Sequence, residues 1–470
     1  MSFSRSVAII GGSVTGVAAF IALVRTGKVR RIDLIDPQGL ADSIAFTAAE
    51  QGLLCNTSVQ TMSVLDDDPQ DFQRYLHGQG IAASEDGFVP RAWVSGYLKQ
   101  RYAEYRDLAE AQGIEHRVVR ATVRRIEPVA PGRYQLQLND GADISASAVL
   151  VCTGSAAPCV PPQVAAHVGA PGIFTSPYPT GAWLQHLHAP SRVLVLGSRL
   201  SAVDSALLLC GAGHRVLMAS PSGRLPSVRT ATPRRSAVAL DEARFARLDL
   251  ENPKLYWHLL RLLVKAAKAI NGRSLREQID RSRDPAQRLR GEIALASRGA
   301  TDWQNLLVHC MDLADLKLRA APATVRMAAL QNCWEAVGRY LFAVPLQTAV
   351  TLSQWIDEGR LQLAAHVPTR LEWQGQWIAH DDHGNSHAVD AVVCASGFHK
   401  QPFHATPEAL ELQAPAGPPA SLRWSLLNCR SACRVLTGRT TSGCWAWRPT
   451  WRRRWSIRCT SRCARQPRWH

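Results

Sequence analysis

The sequence GGSVTG at residues 11–16 lies between the apolar run SVAII (residues 6–10) and the apolar stretch VAAFIALVRTG (residues 17–27). It departs from the pattern G-x-G-x-x-G at one position, where Ser13 replaces the second glycine. The run before the glycines predicts a strand, and the stretch after them predicts a helix. This order is typical of the strand–turn–helix unit that holds the pyrophosphate of a dinucleotide.

An acidic residue completes this unit. The segment RIDLIDP (residues 31–37) predicts a second strand, and Asp36 at its end follows Gly16 by twenty positions. A carboxylate in this place accepts hydrogen bonds from ribose hydroxyls, while the glycines let the helix N-terminus approach the phosphates. Ser13 fits the turn only if its φ angle is negative. The residues predicted to bind the ADP part of FAD are Gly11, Gly12, Ser13, Gly16 and Asp36.

Residues 192–220, RVLVLGSRLSAVDSALLLCGAGHRVLMAS, repeat the order strand, turn, helix, strand. Arg199 replaces the middle glycine, and its long side chain either contacts the phosphate or obstructs the site. No acid follows the second strand, and a basic residue lies just beyond it, which favours the 2′-phosphate of NADPH over the free ribose of NADH. A repeat that is kept only for packing is the alternative. The residues predicted to bind NADPH are Gly197, Ser198, Ala202, Ser220 and Arg224.

Two further apolar strands end in a glycine turn. They are ASAVLVCTGSAAP (residues 146–158), with Gly154, and AVDAVVCASGFHKQP (residues 388–402), with Gly397. Such turns let the chain pass close to a bound cofactor, so both glycines are candidate cofactor-binding residues. Because the two turns bracket the second unit, we expect that unit to be inserted into the first domain.

Three segments of the first domain each contain a different pattern. They are Leu-Leu-x-Asn…Met-Ser in LLCNTSVQTMS (residues 53–63), Asp-x-Pro…Phe…Leu in DDDPQDFQRYL (66–76) and Phe-Val-Pro-Arg…Tyr-Leu in FVPRAWVSGYL (88–98). In order and spacing they resemble bacterial FAD/NAD(P)-binding proteins related to the single-component N-hydroxylating (class B-like) flavin monooxygenases. The resemblance covers residues 5–405. It implies that Asn56 and Met62 lie beside the isoalloxazine ring, and that Arg91 lies near the cofactor or at the domain junction.

The charge of the chain is concentrated at its end. The net charge is +16 over 470 residues, but the first 420 residues carry only +4, which argues against a nucleic-acid partner. The apolar run VTGVAAFIALV is eleven residues long and too short to span a membrane. The twelve cysteines are scattered, as expected of free thiols in a reducing cytoplasm. No metal-ligand pattern and no catalytic side-chain set stands out.

The fold class predicted from these patterns is α/β, with two Rossmann-like dinucleotide-binding domains, for FAD and NADP, and a helical insertion. Apolar positions recur at helical spacing between the second unit and residue 360. The predicted boundaries are 1–185 for the first part of the FAD domain, 186–237 for the NAD(P) unit, 238–360 for the helical insertion, 361–417 for the return to the FAD domain and 418–470 for an atypical tail.

The tail has an unusual composition. Residues 421–470 contain twelve Arg, six of the fourteen Trp and no Asp or Glu, and no helical or strand period organises them. Such a composition is typical of a GC-rich gene read out of frame, and a shifted reading from Cys444 gives an Ala-rich apolar helix. We therefore predict a frameshifted or disordered tail.

These observations favour an NADPH-dependent FAD monooxygenase that uses O2 to oxygenate a small molecule, by N-hydroxylation or a related reaction through a flavin C4a-(hydro)peroxide. In such an enzyme the flavin carries the chemistry and the protein supplies binding and orientation. Two alternatives remain open: an NAD(P)H-dependent flavin reductase or oxidase that inserts no oxygen, and a flavoprotein-like module whose NADP site is inactive.

Overall fold

The computed structural model describes most of the chain. The described residues are 5–41, 46, 52–65, 67–231, 240–319, 321–400, 403–406, 408–412, 432–436, 444–449 and 455–457.

The strands are β1 Ser6–Ile10, β2 Arg31–Ile35, β3 Glu115–Val119, β4 Val123–Ala130, β5 Arg133–Leu138, β6 Asp143–Ala146, β7 Ala148–Val151, β8 Ser155–Pro158, β9 Ile173–Phe174, β10 Arg192–Leu196, β11 Arg215–Ala219, β12 Val228–Arg229, β13 Val344–Pro345, β14 Leu361–Ala364, β15 Arg370–Trp373, β16 Trp377–His380, β17 Ser386–Val389, β18 Ala391–Cys394, β19 Phe398–Lys400, β20 Phe403–Ala405, β21 Leu410–Leu412, β22 Ala432–Leu436, β23 Cys444–Pro449 and β24 Trp455–Ile457.

The α-helices are α1 Val14–Thr26, α2 Asp71–Gly78, α3 Ala92–Ala111, α4 Pro162–Ala165, α5 Leu200–Gly211, α6 Glu242–Ala246, α7 Leu255–Asn271, α8 Pro285–Ser297, α9 Gln304–Arg319, α10 Ala323–Leu341 and α11 Leu346–Asp357. Short 3-10 helices occur at Val59–Thr61, Leu184–His186 and Leu275–Gln278.

The first unit is built on a sheet in the order β24-β23-β22-β7-β1-β2-β3. Strands β7, β1, β2 and β3 are parallel, and α1 connects β1 to β2 as the sequence predicts. Val17, Phe20 and Ile21 of α1 are fully buried in the core of this unit. A second, antiparallel sheet in the order β20-β21-β4-β5-β6 covers the other face of the parallel strands.

The second unit has a parallel sheet in the order β14-β11-β10-β18-β9. Helix α5 connects β10 to β11 and buries Ala202, Ala206 and Leu209 against this sheet. The α/β class and the two Rossmann-like units therefore agree with the prediction.

Two predicted boundaries differ from the structure. Residues 1–185 were assigned to the first domain, but β9 (Ile173–Phe174) lies in the second sheet. Residues 361–417 were expected to return to the first domain, but β14 and β18 lie in the second sheet. The chain returns to the first unit at β20 and β21, which pair with each other, and β21 also pairs with β4. The physical reason is that β10 and β11 need parallel neighbours on both sides to satisfy their backbone hydrogen bonds, and β14 and β18 supply them.

The predicted helical insertion is present as helices α6 to α10, and α11, within the predicted bounds, packs against the second sheet. The insertion leaves the second unit after β12 and returns at β13, and these two short strands pair in parallel. Trp303, Leu306 and Leu307 are buried in a separate core of the insertion. Among all described helices, none has both the length and the apolar character needed to cross a membrane.

The tail differs in part from the prediction. No strand was expected after residue 418, but β22 pairs antiparallel with β7, β23 with β22, and β24 with β23. The edge of β7 presents unpaired backbone groups, which accept an added strand of almost any sequence. The other residues of 418–470 lie outside the described residues, so the frameshift stays a prediction.

Candidate dinucleotide-binding sites

The first candidate site, the first cradle (residues 11–16), lies where β1 ends and α1 begins. Gly11 has a φ angle of +106°, and a Cβ atom there would lie 2.3 Å from the carbonyl oxygen of Cys152. A Cβ atom on Gly16 would lie 1.8 Å from the carbonyl oxygen of Gly11. Neither position accepts a side chain, so the backbone forms the tight, uncovered turn that a pyrophosphate requires.

Ser13 fits this turn in the way the sequence requires. It precedes the first residue of α1 with φ −75° and ψ −163°, so the missing glycine introduces no strain. Its hydroxyl makes no capping hydrogen bond to the helix. The first N–H groups of a helix have no partner within the helix, and together with this hydroxyl they are suited to hold a phosphate group.

Asp36 is held in a fixed orientation at the end of β2. Its Oδ2 accepts a hydrogen bond of 2.7 Å from the Gly12 N–H, and its Oδ1 accepts one of 2.8 Å from the Gln38 N–H. Each carboxylate oxygen retains a second lone pair. The residues present therefore fit the ribose and pyrophosphate of an ADP group.

Ala41 contacts this site and was not found from the sequence. It is buried and has a φ angle of +60°, a conformation that costs an alanine on the order of 1–2 kcal/mol. Its N–H donates to the Gly12 carbonyl at 2.8 Å, and its own carbonyl accepts from the Ser95 hydroxyl at 3.3 Å. Strained residues of this kind cluster at ligand sites. Nothing in the sequence signals it, because alanine carries no turn preference.

The second candidate site, the second cradle (residues 197–202), has the same construction. Gly197 has a φ angle of +134°, and a Cβ atom there would lie 2.4 Å from the carbonyl oxygen of Ala395. The Ser198 hydroxyl donates to the carbonyl oxygen of Arg224 at 2.9 Å. Ala202 is fully buried on α5.

Arg199 precedes the first residue of α5 with φ −90° and ψ −171°. Its negative φ angle means that the backbone tolerates a side chain here, as at Ser13. The arginine side chain is exposed.

Polar and basic groups surround the end of β11. Ser220 is buried, and its hydroxyl has no hydrogen-bond partner in the described part of the chain. Arg224 is exposed, and Arg288 lies close enough that burial, Arg339 and Arg224 together lower the pKa of Arg288. Arg339 is paired with Glu292 at 2.6 Å. Arg288 is thus influenced by two further guanidinium groups and by the single carboxylate of Glu292, an imbalance of charge that favours an anion.

The two glycine turns predicted from the sequence meet at the junction of the two units. Gly154 and Gly397 have φ angles of +69° and +91°. Each directly precedes a strand, and these strands, β8 and β19, pair antiparallel. The Cys159 N–H donates to the Gly397 carbonyl at 2.9 Å. The two chain segments that connect the units, at β8 and at β19, therefore run side by side.

The structure also brings Arg91 to the segment at residues 53–63. The Arg91 N–H donates to the Leu53 carbonyl at 2.9 Å. Met62 is buried, and its sulfur accepts a hydrogen bond of 2.8 Å from Thr57. Asn56 is half-buried. The flavin contacts implied for Asn56 and Met62 stay predictions.

The Arg91 side chain is directed toward the second unit. Its guanidinium is paired with the Asp204 carboxylate of α5, and both side chains are less than one tenth exposed. Burial raises the pKa of Asp204, an effect that Arg91 opposes. Burial also raises the pKa of the adjacent Cys55 thiol to about 12. Arg91 therefore lies at the domain junction. Asp204 was missed, although one acid within the apolar sequence LSAVDSALLL was a usable signal.

Comparison with known proteins agrees with this geometry. Residues 8–156 match the model of the FAD-NAD(P)-binding family, which confirms the cofactor class of the first unit. No curated protein sequence matches the chain.

Solved structures resemble this chain at low sequence identity. The structure of DfoA bound to FAD, the desferrioxamine biosynthetic cadaverine monooxygenase from Erwinia amylovora, is 14% identical with a TM-score of 0.51, over 84% of this chain and 78% of that chain. The L-lysine 6-monooxygenase from Pseudomonas syringae is 17% identical with a TM-score of 0.46, over 84% of this chain and 81% of that chain. This chain therefore shares its fold with DfoA.

Proposed function

We propose that this chain is an FAD- and NADPH-dependent monooxygenase that oxygenates a small molecule with O2. The observation that carries the proposal is the pair of cradles, built alike on two parallel sheets, with a carboxylate at the first and arginines at the second. A protein that binds two different dinucleotides at such a junction is suited to pass electrons from one to the other.

The residues of the first cradle and Asp36 would hold the ADP part of FAD, because they supply a helix N-terminus and a ribose acceptor. The second cradle, Ser220 and Arg224 would hold NADPH, with Arg288 as an added contact to the 2′-phosphate. FAD supplies, when bound, the capacity to accept hydride and to activate O2. The protein binds and orients both dinucleotides and limits the access of water.

For the substrate we propose a small amine, with N-hydroxylation or a related oxygenation as the reaction. The sequence resemblance to N-hydroxylating enzymes supports this choice. DfoA, whose fold this chain shares, is described as a cadaverine monooxygenase, and cadaverine is a small amine.

The proposal is tested by titrating the purified FAD-bound protein with NADPH in the absence of oxygen. We expect the visible flavin absorbance to bleach. Oxygen and a panel of small amines are then added, and product masses are measured. A product heavier by one oxygen atom supports the monooxygenase. Bleaching without any such product indicates a reductase, and the absence of bleaching contradicts electron transfer from NADPH.

A further inference from the structure

Buried contacts connect the first cradle to Arg91. The Gly12 carbonyl accepts a hydrogen bond from the Ala41 N–H at 2.8 Å. The Ala41 carbonyl accepts one from Ser95 at 3.3 Å, and Ser95 lies in the first turn of α3. Arg91 immediately precedes this helix. A shift of Arg91 therefore moves the backbone that surrounds the first cradle.

Asp204, the partner of Arg91, lies next to the second cradle. Asp204 lies in the second turn of α5, and the second cradle forms the N-terminus of that helix. Next to it, the Ser201 hydroxyl lies 3.2 Å from the hydroxyl of Tyr178, and burial raises the pKa of Tyr178, an effect that the nearby Arg91 opposes. The Arg91 Nε–H donates to the Leu54 carbonyl at 3.2 Å. The guanidinium is thus fixed on both sides of the junction.

A buried ion pair of this kind adds little net stability, because desolvation of both charges offsets much of their attraction. Its strong dependence on direction makes it better suited to fix an orientation than to hold a core together. Electron transfer as hydride needs the two reacting groups in near contact, and a misplacement of about 1 Å lowers a rate on the order of 100-fold.

We propose that Arg91 and Asp204 form a positioning pair that sets the orientation of the two cradles for hydride transfer from NADPH to FAD. This inference rests on the proposed function. The pair acts through α3 and α5, the two helices that it joins.

The test is the rate of flavin reduction at saturating NADPH in FAD-bound Asp204→Asn, measured by anaerobic stopped-flow. We expect the rate to fall about tenfold or more, by the distance argument above. The dissociation constants of FAD and NADP⁺ should change by less than about threefold, since both cradles stay intact. A reduction rate within about twofold of the wild type would overturn the proposal.

Asp71→Asn is the matched control. Asp71 pairs with Arg101 at 2.8 Å, and these side chains are 5% and 11% exposed, but both residues lie within the first unit. This variant should lose thermal stability and keep its reduction rate. An equal loss of rate in Asp71→Asn would show that any broken buried pair slows reduction, which contradicts a positioning role.

A second variant guards against misfolding of Asp204→Asn. Replacing a buried ion pair by apolar residues of similar size is often neutral for stability. The double variant Arg91→Met/Asp204→Leu should therefore fold and bind FAD but reduce slowly. Normal reduction in this folded variant would overturn the proposal.

Hydrogen exchange separates this inference from the proposed function, because it needs no turnover. In FAD-bound Asp204→Asn we expect faster exchange at residues 53–58 and at the start of α5, with no change in α2. Unchanged exchange at both segments would overturn the pair's structural role. If NADPH fails to reduce the wild-type flavin while exchange still changes as expected, the proposed electron transfer is wrong and the positioning role for it falls as well.

Discussion

The two cradles share the same backbone structure but differ in chemistry at one position. This position, the residue that follows the second strand, is called the corner of each unit. The Gly11 N–H donates to the Ile35 carbonyl at 2.8 Å, and the Gly197 N–H donates to the Ala219 carbonyl at the same distance. In both units the residue that follows a third strand, Cys152 after β7 and Ala395 after β18, lies close to this glycine. A Cβ atom on the glycine would lie within 2.4 Å of that residue's carbonyl oxygen. The backbone of each unit is therefore suited to a pyrophosphate.

The difference lies at the residue after the second strand. In the first unit this residue is Asp36, which is bound to the Gly12 N–H. In the second unit it is Ser220, with a buried hydroxyl and with Arg224 four residues later. A carboxylate accepts hydrogen bonds from ribose hydroxyls and repels a phosphate. A serine beside arginines carries no negative charge, and the arginines attract a phosphate. If the proposed function is correct, the same backbone selects two different dinucleotides through this single position.

The largest expected effect comes from filling either turn. Gly11→Ala places a methyl group 2.3 Å from a backbone carbonyl at a φ angle of +106°, so the turn must open. We expect FAD affinity to fall more than about 100-fold, as when strain and a backbone clash act together. Equilibrium binding of FAD to the apoprotein, followed by flavin fluorescence, measures this loss.

Gly197→Ala fills the turn of the second cradle. It should leave FAD binding intact and remove reduction by NADPH, because only the second turn is filled. Gly211→Ala is the control, since a Cβ atom there contacts nothing within 4 Å. Loss of FAD from Gly197→Ala would show that the two turns do not act separately.

A smaller effect is expected at the corner of the first unit. Asp36→Ala removes the ribose acceptor and leaves the Gly12 N–H without its partner, a loss of about 1–3 kcal/mol in FAD affinity. Ser220→Ala, at the equivalent position, should leave FAD affinity unchanged. Isothermal titration of the two variant apoproteins with FAD measures both affinities. Equal FAD affinity of Asp36→Ala and the wild type would contradict the assignment of Asp36.

The local parts of this design were predictable from the sequence. Glycine, serine and aspartate at fixed spacing around apolar runs indicate both units, because strand, turn and helix depend on neighbouring residues. The boundary at residue 361 was wrong because membership of a sheet depends on pairing between distant strands. β14 carries no signal that identifies β11 as its neighbour.

The contacts at the junction of the two units were harder to predict from the sequence for the same reason. Arg91 and Asp204 are separated by 113 positions, and no periodicity connects them. Ala41 adopts its left-handed backbone because its surroundings require it, so its residue type gives no indication. In the tail, β22 follows the open edge of β7 rather than any pattern of its own.

The smallest expected effect concerns the corner of the second unit and tests the preference for NADPH over NADH. Arg224 makes no ion pair with any described residue, and Arg288 has a buried Nε atom without a hydrogen-bond partner there. Arg224→Ala and Arg288→Ala should each raise the apparent KM for NADPH about tenfold. This corresponds to about 1.4 kcal/mol, the low end for a hydrogen bond to a charged group, because neither side chain is fully buried. The KM for NADH should stay within about twofold, because NADH lacks the phosphate.

Arg290→Ala is the matched control for this pair of variants. Arg290 lies on α8 like Arg288, but it is exposed and paired with Asp357. Its removal should change neither KM, so an effect there would point to a general loss of positive charge. Equal increases in KM for NADPH and NADH in Arg224→Ala would place the arginine elsewhere on the nucleotide. The second corner would then differ from the first only by lacking an acid, and the preference for NADPH would lose its physical basis.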